Sequence, residues 1–143
     1  MRLLTPNNIL VLCTGNSCRS QMAEGYLKFF SGSKANILSA GIETHGVNPI
    51  AIQVMSEDGI DISFHTSNNI QDYNKIDFHH IITVCNHASN NCPQISSNAL
   101  RYHFDIPDPA KKTGTEEEII KEFRIVRDMI KEYTEKFALK HLL

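Results

Sequence analysis

The sequence predicts an α/β protein: a single domain with a central four-stranded parallel sheet flanked by helices on both faces. Three observations carry this. Short uncharged apolar runs alternate with segments whose apolar residues recur every three to four positions, the pattern of strands joined by crossover helices. The run Ile81-Ile82-Thr83-Val84 is β-branched and without charge, as a strand buried on both faces should be. The chain has 143 residues, 41% of them apolar, which suffices for one substantial core and makes a second domain unnecessary.

The elements come in a clear order. Asn8 to Leu12 is the first strand. Met22, Ala23, Tyr26, Leu27 and Phe30 then mark one face of an amphipathic helix that ends near Ser31-Gly32-Ser33. Ile37 to Gly41 reads as the second strand. Pro49 is suited to a first helical position, and Ala51, Val54 and Met55 share a face of that helix before Gly59 stops it. Asp61-Ile62 is a short link, Ile81 to Val84 the third strand, and Ala99 to Phe104 a weaker fourth, with Pro107 and Pro109 breaking regular structure after it. The last helix carries Ile119, Ile120, Phe123, Val126, Ile130, Tyr133 and Phe137 as one stripe, with Glu116, Glu117 and Glu118 at the end where negative charge is favoured. There are no repeats, linkers or low-complexity tracts.

The densest chemical signal is Cys13-Thr14-Gly15-Asn16-Ser17-Cys18-Arg19-Ser20, directly after the first strand. If Gly15 and Asn16 take unusual dihedrals, Thr14 to Cys18 can curl their N–H groups inward and form a nest for an oxyanion. A helix starting near Cys18 or Arg19 adds positive partial charge on the same side, attracting the anion and favouring Cys13 as a thiolate. Arg19 can fold back with a two-donor fork, and Ser20 can donate a hydrogen bond to the sulfur. In an open parallel sheet, ligands bind outside the carboxyl ends of the strands near a switch in strand order. Cys13 and Cys85 both stand at such ends, so the fold can bring the two thiols close.

Composition narrows the class. A formal charge of −2 argues against holding nucleic acid by bulk electrostatics while leaving room for a small basic pocket. No apolar run is long enough to span a bilayer, and Met1 to Pro6 is too short an apolar stretch before Asn7-Asn8 for a secretory signal, so a soluble cytoplasmic enzyme is expected. Four cysteines in that compartment point to catalysis or metal rather than structural disulfides. Zinc is disfavoured, because the cysteine gaps are looser than in structural knuckles and a Gly-Asn loop with arginine makes a poor zinc shell. The seven histidines are scattered, and His79-His80 has no matching ligand pair.

Beyond the loop, the chain carries Ser39-Ala40-Gly41-Ile42-Glu43-Thr44-His45-Gly46-Val47-Asn48-Pro49, His65-Thr66-Ser67, the pair Cys85 and Cys92, Asp108-Pro109-Ala110, and Phe123-Arg124-x-Val126-Arg127-Asp128. With these motifs, from about Asn8 to Phe137, it resembles the thioredoxin-coupled arsenate reductases of the low-molecular-weight protein tyrosine phosphatase superfamily. The resemblance implies that Cys13 attacks arsenate held by the loop and Arg19, while Asp108 protonates the departing oxygen. It further implies that Cys85 attacks Cys13 to release arsenite, and that Cys92 moves the disulfide outward as Cys85–Cys92 for reduction by thioredoxin, with glutaredoxin or another thiol as alternative donors. Phosphate and sulfate would compete for the loop, no transition metal or organic cofactor would be bound, and the enzyme would be a monomer. The asparagine-rich stretch Asn86 to Asn91 suits a carrier for Cys92, and Cys18 has no redox step.

Two departures stand out. Relatives hold potassium beside the loop with positions matching Asn16, Glu24, Ser39, Thr66 and an aspartate where this chain has Asn68, so the cation is less strongly attracted here. His87 stands where an aspartate is common. Two rival functions use parts of the same set. A low-molecular-weight phosphatase hydrolysing phosphomonoesters would need Cys13, Arg19 and Asp108 but neither Cys85 nor Cys92, and would line its acid loop with aromatics; here that loop reads Ile106 to Lys112 without tyrosine. A non-enzymatic redox sensor would need neither Asp108 nor a complete anion loop.

Overall fold

A computed structural model describes residues 7–84 and 98–143 of the protein. Cys85, His87, the 86–91 stretch and Cys92 therefore lie outside the described residues. Four strands, β1 (Asn7–Cys13), β2 (Ala35–Gly41), β3 (His80–Thr83) and β4 (Leu100–His103), form one sheet in the order β2-β1-β3-β4. Every neighbouring pair is parallel, with Cys13 opposite Gly41 on one side of β1 and Leu12 opposite Thr83 on the other. The chain leaves β1 toward β2 and then returns across it to β3. The carboxyl end of β1 is thus the switch point that the ligand rule singles out.

Among the described residues three helices accompany the sheet: α1 (Arg19–Ser31), α2 (Pro49–Glu57) and α3 (Glu116–His141). The period-two alternation of β1 divides the core. Ile9, Val11 and Cys13 face one layer with Met22, Tyr26 and Leu27 of α1, Val54 and Met55 of α2, and Phe123, Val126 and Ile130 of α3. Leu10 and Leu12 face the other way, onto Ala40, Ile70, Phe78 and Ile81. Among the described residues this second face is covered by a 3-10 turn, Ile70–Tyr73, and the segment after it rather than by a long helix. The sequence there offers only Ile70, Tyr73, Ile76 and Phe78 as apolar anchors, too few and too irregular for an amphipathic α-helix.

Local chemistry sets the helix ends. Asn48 caps α2 by accepting from the N–H groups of Ile50 and Ala51, with Pro49 at the first position where its missing N–H costs nothing. Gly59, at φ 78°, takes the left-handed turn that comes after α2. Thr115 caps α3 through the Glu118 N–H, with three glutamates in its first turn and Lys140 and His141 in its last. Arg124 grips both oxygens of Glu57, and Arg127 Nη1 donates to the Val54 carbonyl at 2.9 Å, so α3 holds the carboxyl half of α2. At the other end of α2, Asn48 donates its N–H to the Ser17 carbonyl of the loop after β1.

Candidate active site

The nest is built by turning carbonyls outward. Glu43, His45 and Asn48 donate backbone N–H groups to the carbonyls of Thr14, Gly15 and Ser17 at 3.0 to 3.1 Å, and Gln21 Nε2 donates to the Asn16 carbonyl at 3.1 Å. A trans peptide points its N–H opposite to its C=O, so the amides of Gly15 to Cys18 face the concave side. Asn16 makes the curl, with φ 47° the one positive value at a non-glycine position among the described residues. Its fully buried side chain locks that geometry: Nδ2 donates to the carbonyls of Ser39 (3.3 Å) and Asn68 (3.4 Å), and Oδ1 accepts from Ser20 Oγ (2.8 Å) and Gln21 Nε2 (3.1 Å).

One expectation from the sequence is corrected by this geometry. Gly15 does not take an unusual φ; a Cβ at 15 would meet the exposed His45 ring, with Nδ1 at 2.6 Å, so a side chain there would have to turn that ring away. Ser20 Oγ donates to Asn16 Oδ1 at 2.8 Å, so it also braces the loop. A further glycine constraint was hidden in the sequence. A Cβ on Gly41, opposite Cys13 in the sheet, would meet the backbone oxygens of Thr14 and Glu43 at 2.7 Å and the Asn16 nitrogen at 2.9 Å.

Helix α1 starts at Arg19 with Cys18 as its cap, and the Cys18 side chain makes no capping hydrogen bond. That end of the helix faces the loop and adds to its positive potential. Arg19 is only 7% exposed. Its Nη1 donates to the Ile106 carbonyl at 2.9 Å, which sets the guanidinium from behind, while buried Nε has no partner among the described residues. A buried guanidinium N–H is costly to leave unmatched, so the Nε side of the fork is a donor held for an anion. Asp108 Oδ2 lies 3.6 Å from Arg19 Nη2, and Oδ1 accepts from the Ala110 N–H that opens the 3-10 turn Pro109–Lys111. The acid is therefore seated on the same guanidinium that would hold the substrate, with a quarter of its side chain still open to solvent.

These groups surround a cavity of about 350 Å³ lined by Cys13, Thr14, Gly15, Ser17, Cys18, Arg19, Asp108, His45, Ala110 and Lys111. Asn16 and Ser20 stand behind the wall. Burial pushes the Cys18 thiol up to about 11, outweighing its contact with Ser17, so Cys18 stays protonated near neutrality. His45 and Lys111 line the cavity although sequence reasoning gave neither a role. His45 lies within the 39–49 motif, but its contact with Gly15 spans 30 positions and leaves no local pattern. Its Nε2 pairs with Glu43 Oε2 at 2.8 Å.

The residues matching a potassium site also come together, but their oxygens are engaged. Glu24 Oε1 accepts from Ser39 Oγ, and Glu24 Oε2 from Lys28 Nζ at 2.5 Å. Asn16 Oδ1 accepts from Ser20 and Gln21, while Asn68 Nδ2 donates to the Thr66 carbonyl and hydroxyl at 3.1 and 3.0 Å. An ammonium already lies on the Glu24 carboxylate and the Asn68 amide is turned onto Thr66, so in this arrangement the set is occupied by its own side chains. Among the described residues no three His, Cys, Asp or Glu side chains form a metal cluster, and no helix is long and apolar enough to cross a membrane.

Residues 8–142 match the model of the family described as low molecular weight phosphotyrosine protein phosphatase. The chain is 50% identical over 130 residues to arsenate reductase 1 of Staphylococcus epidermidis, covering 91% of this chain and 94% of that one. Among solved structures, an arsenate reductase in the phosphate binding state is 34% identical with a TM-score of 0.80, and an arsenate reductase in the oxidized state is 33% identical with a TM-score of 0.80. Each covers 94% of this chain and 98% of its own. An anion nest after β1, a guanidinium fork, an acid seated on that fork and near-complete coverage by both comparisons lead to one assignment: the chain belongs to the low molecular weight phosphotyrosine protein phosphatase family, and within it stands with the arsenate reductases.

Proposed function

We propose that the protein reduces arsenate to arsenite through a three-cysteine relay that thioredoxin recycles. The observation that carries the first half is the cavity itself: inward amides, the Arg19 Nε donor and Asp108 surround Cys13 in a space that suits a tetrahedral oxyanion. The Cys13 thiolate attacks arsenic, Asp108 gives its proton to the departing oxygen, water leaves, and a sulfur–arsenic(V) bond remains. The Cys85 thiolate then attacks the Cys13 sulfur. The pair of the sulfur–arsenic bond passes to arsenic, which leaves as arsenite two electrons reduced, and a Cys13–Cys85 disulfide forms. The Cys92 thiolate attacks Cys85, returning Cys13 as thiolate and leaving Cys85–Cys92, which the thioredoxin dithiol reduces.

A third thiol is needed for access, since a cavity fitted to an oxyanion excludes a protein reductant. Two described contacts support the pairing of the first two thiols. Val84 donates to the Leu12 carbonyl at 3.0 Å, and Leu12 faces Thr83 in the sheet. Leu12 and Val84 each precede a cysteine of the relay. The same cavity also supports slow phosphomonoester hydrolysis through a Cys13 phosphoenzyme, because the adduct step needs only Cys13, Arg19 and Asp108. NADPH oxidation coupled through thioredoxin reductase and thioredoxin tests the reading. Wild type turns over arsenate, and Cys85→Ser and Cys92→Ser variants lose multiple turnover while keeping phosphatase activity. Sustained arsenate turnover by either variant refutes the relay.

A further inference from the structure

Glu24 sits on α1 beneath the anion loop and is 8% exposed, in a position where a carboxylate needs a compensating charge. One turn along the same helix, Lys28 places its ammonium on Glu24 Oε2, and His65 Nε2 lies farther off at 3.7 Å. The other carboxylate oxygen accepts from Ser39 Oγ, and the Ser39 carbonyl accepts from Asn16 Nδ2 at 3.3 Å. Ser39 is 1% exposed and pairs with Val11 in the sheet, so it cannot shift independently. A short chain of contacts thus runs from Lys28 through Glu24 and Ser39 to Asn16, the left-handed residue that curls the oxyanion nest.

We propose that Lys28 is a built-in substitute for a monovalent cation: its ammonium neutralises Glu24 and so holds Asn16 in the anion-binding conformation without a bound metal ion. The chemistry of the surroundings favours this assignment over an incidental surface pair. Asn68, with its Nδ2 donating into Thr66, contributes no charge to hold a free cation. Lys28 is tethered in the favourable (i, i+4) order, glutamate first, so its effective concentration beside Glu24 does not depend on salt composition. Its Nζ also lies 5.7 Å from the centroid of the exposed Phe64 ring, a second favourable contact for the ammonium. The consequence is a loop whose stability is indifferent to potassium.

The test compares thermal unfolding midpoints of wild type and Lys28→Met in potassium chloride and in choline chloride at equal ionic strength. Folding is the readout, so the result is independent of whether arsenate is the substrate. Wild type is expected to unfold at the same temperature in both salts. Lys28→Met is expected to fall by about 3–6 °C in choline chloride, the size of losing one partly buried partner, and to regain most of that in potassium chloride as the ion enters beside the uncompensated Glu24. A wild-type midpoint that rises in potassium over choline overturns the proposal, because a free cation then already acts there. A variant that behaves alike in the two salts overturns it equally, because the carboxylate then needs no cation.

Discussion

At the scale of single residues, the site depends on donors whose partners are fixed on all but one side. Arg19 shows this best: Nη1 is bound to Ile106, Nη2 faces Asp108, and Nε waits in the cavity wall. Lysine cannot reproduce a planar fork that bonds a backbone carbonyl and an oxyanion together. Arg19→Lys should therefore lower kcat/KM for arsenate and for p-nitrophenyl phosphate alike, by about 10²-fold or more, as steady-state kinetics will show. Cys18 is the contrasting case. Its folded pKa of about 11 lies above the ordinary thiol value of 9.0, so over the interval between them the folded state keeps a proton that the unfolded state loses. The stability it contributes is fully present below about pH 9 and is lost as pH rises toward 11. Urea midpoints of wild type should thus fall relative to Cys18→Ala across that window, while arsenate turnover of Cys18→Ala at neutral pH stays within a few-fold of wild type.

At the scale of elements, the anion loop is not self-supporting. Its carbonyls are held by the 43–48 segment, whose far end is the cap of α2, and its Asn16 is held by β2 and α1. Gly41 is where these elements come closest. Gly41→Ala would set a methyl group against three rigid backbone atoms, so urea denaturation should show a loss of about 2–3 kcal/mol, with oxyanion affinity falling alongside as the loop moves. Legibility in the sequence tracks locality. The strands and helices are readable because each advertises itself by period or by a cap, as with Asn48-Pro49 and the α3 stripe. The nest is readable as a motif. Features that depend on distant chain are not: that Asn16 takes the left-handed turn, that the His45 ring packs against Gly15, that Ser20 serves Asn16, and that the 3-10 turn at 70–73 packs on the second sheet face. The exact start of β3 at His80 is of the same kind, since it is set by pairing with Ile9 rather than by the apolar run.

At the scale of the whole molecule, the proposed relay and a hydrolytic side reaction would share one sheet edge. The switch point at β1 supplies an oxyanion cradle that the family uses for phosphoryl groups, and the strand beside it, β3, runs directly into the segment bearing Cys85. Reduction is then separated from hydrolysis not by the cradle but by the group that arrives next at the Cys13 adduct. Water on arsenic or phosphorus gives an esterase; a thiolate on sulfur gives a reductase. Single turnover distinguishes them most directly. Fully reduced protein is mixed with one equivalent of arsenate without thioredoxin, alkylated, and read by peptide mass spectrometry alongside arsenite measurement. A three-thiol relay predicts one arsenite per chain, a Cys85–Cys92 disulfide, and Cys13 and Cys18 recovered without a disulfide. Arsenite formed with Cys85 and Cys92 both still reduced, or a disulfide that includes Cys18, would contradict it.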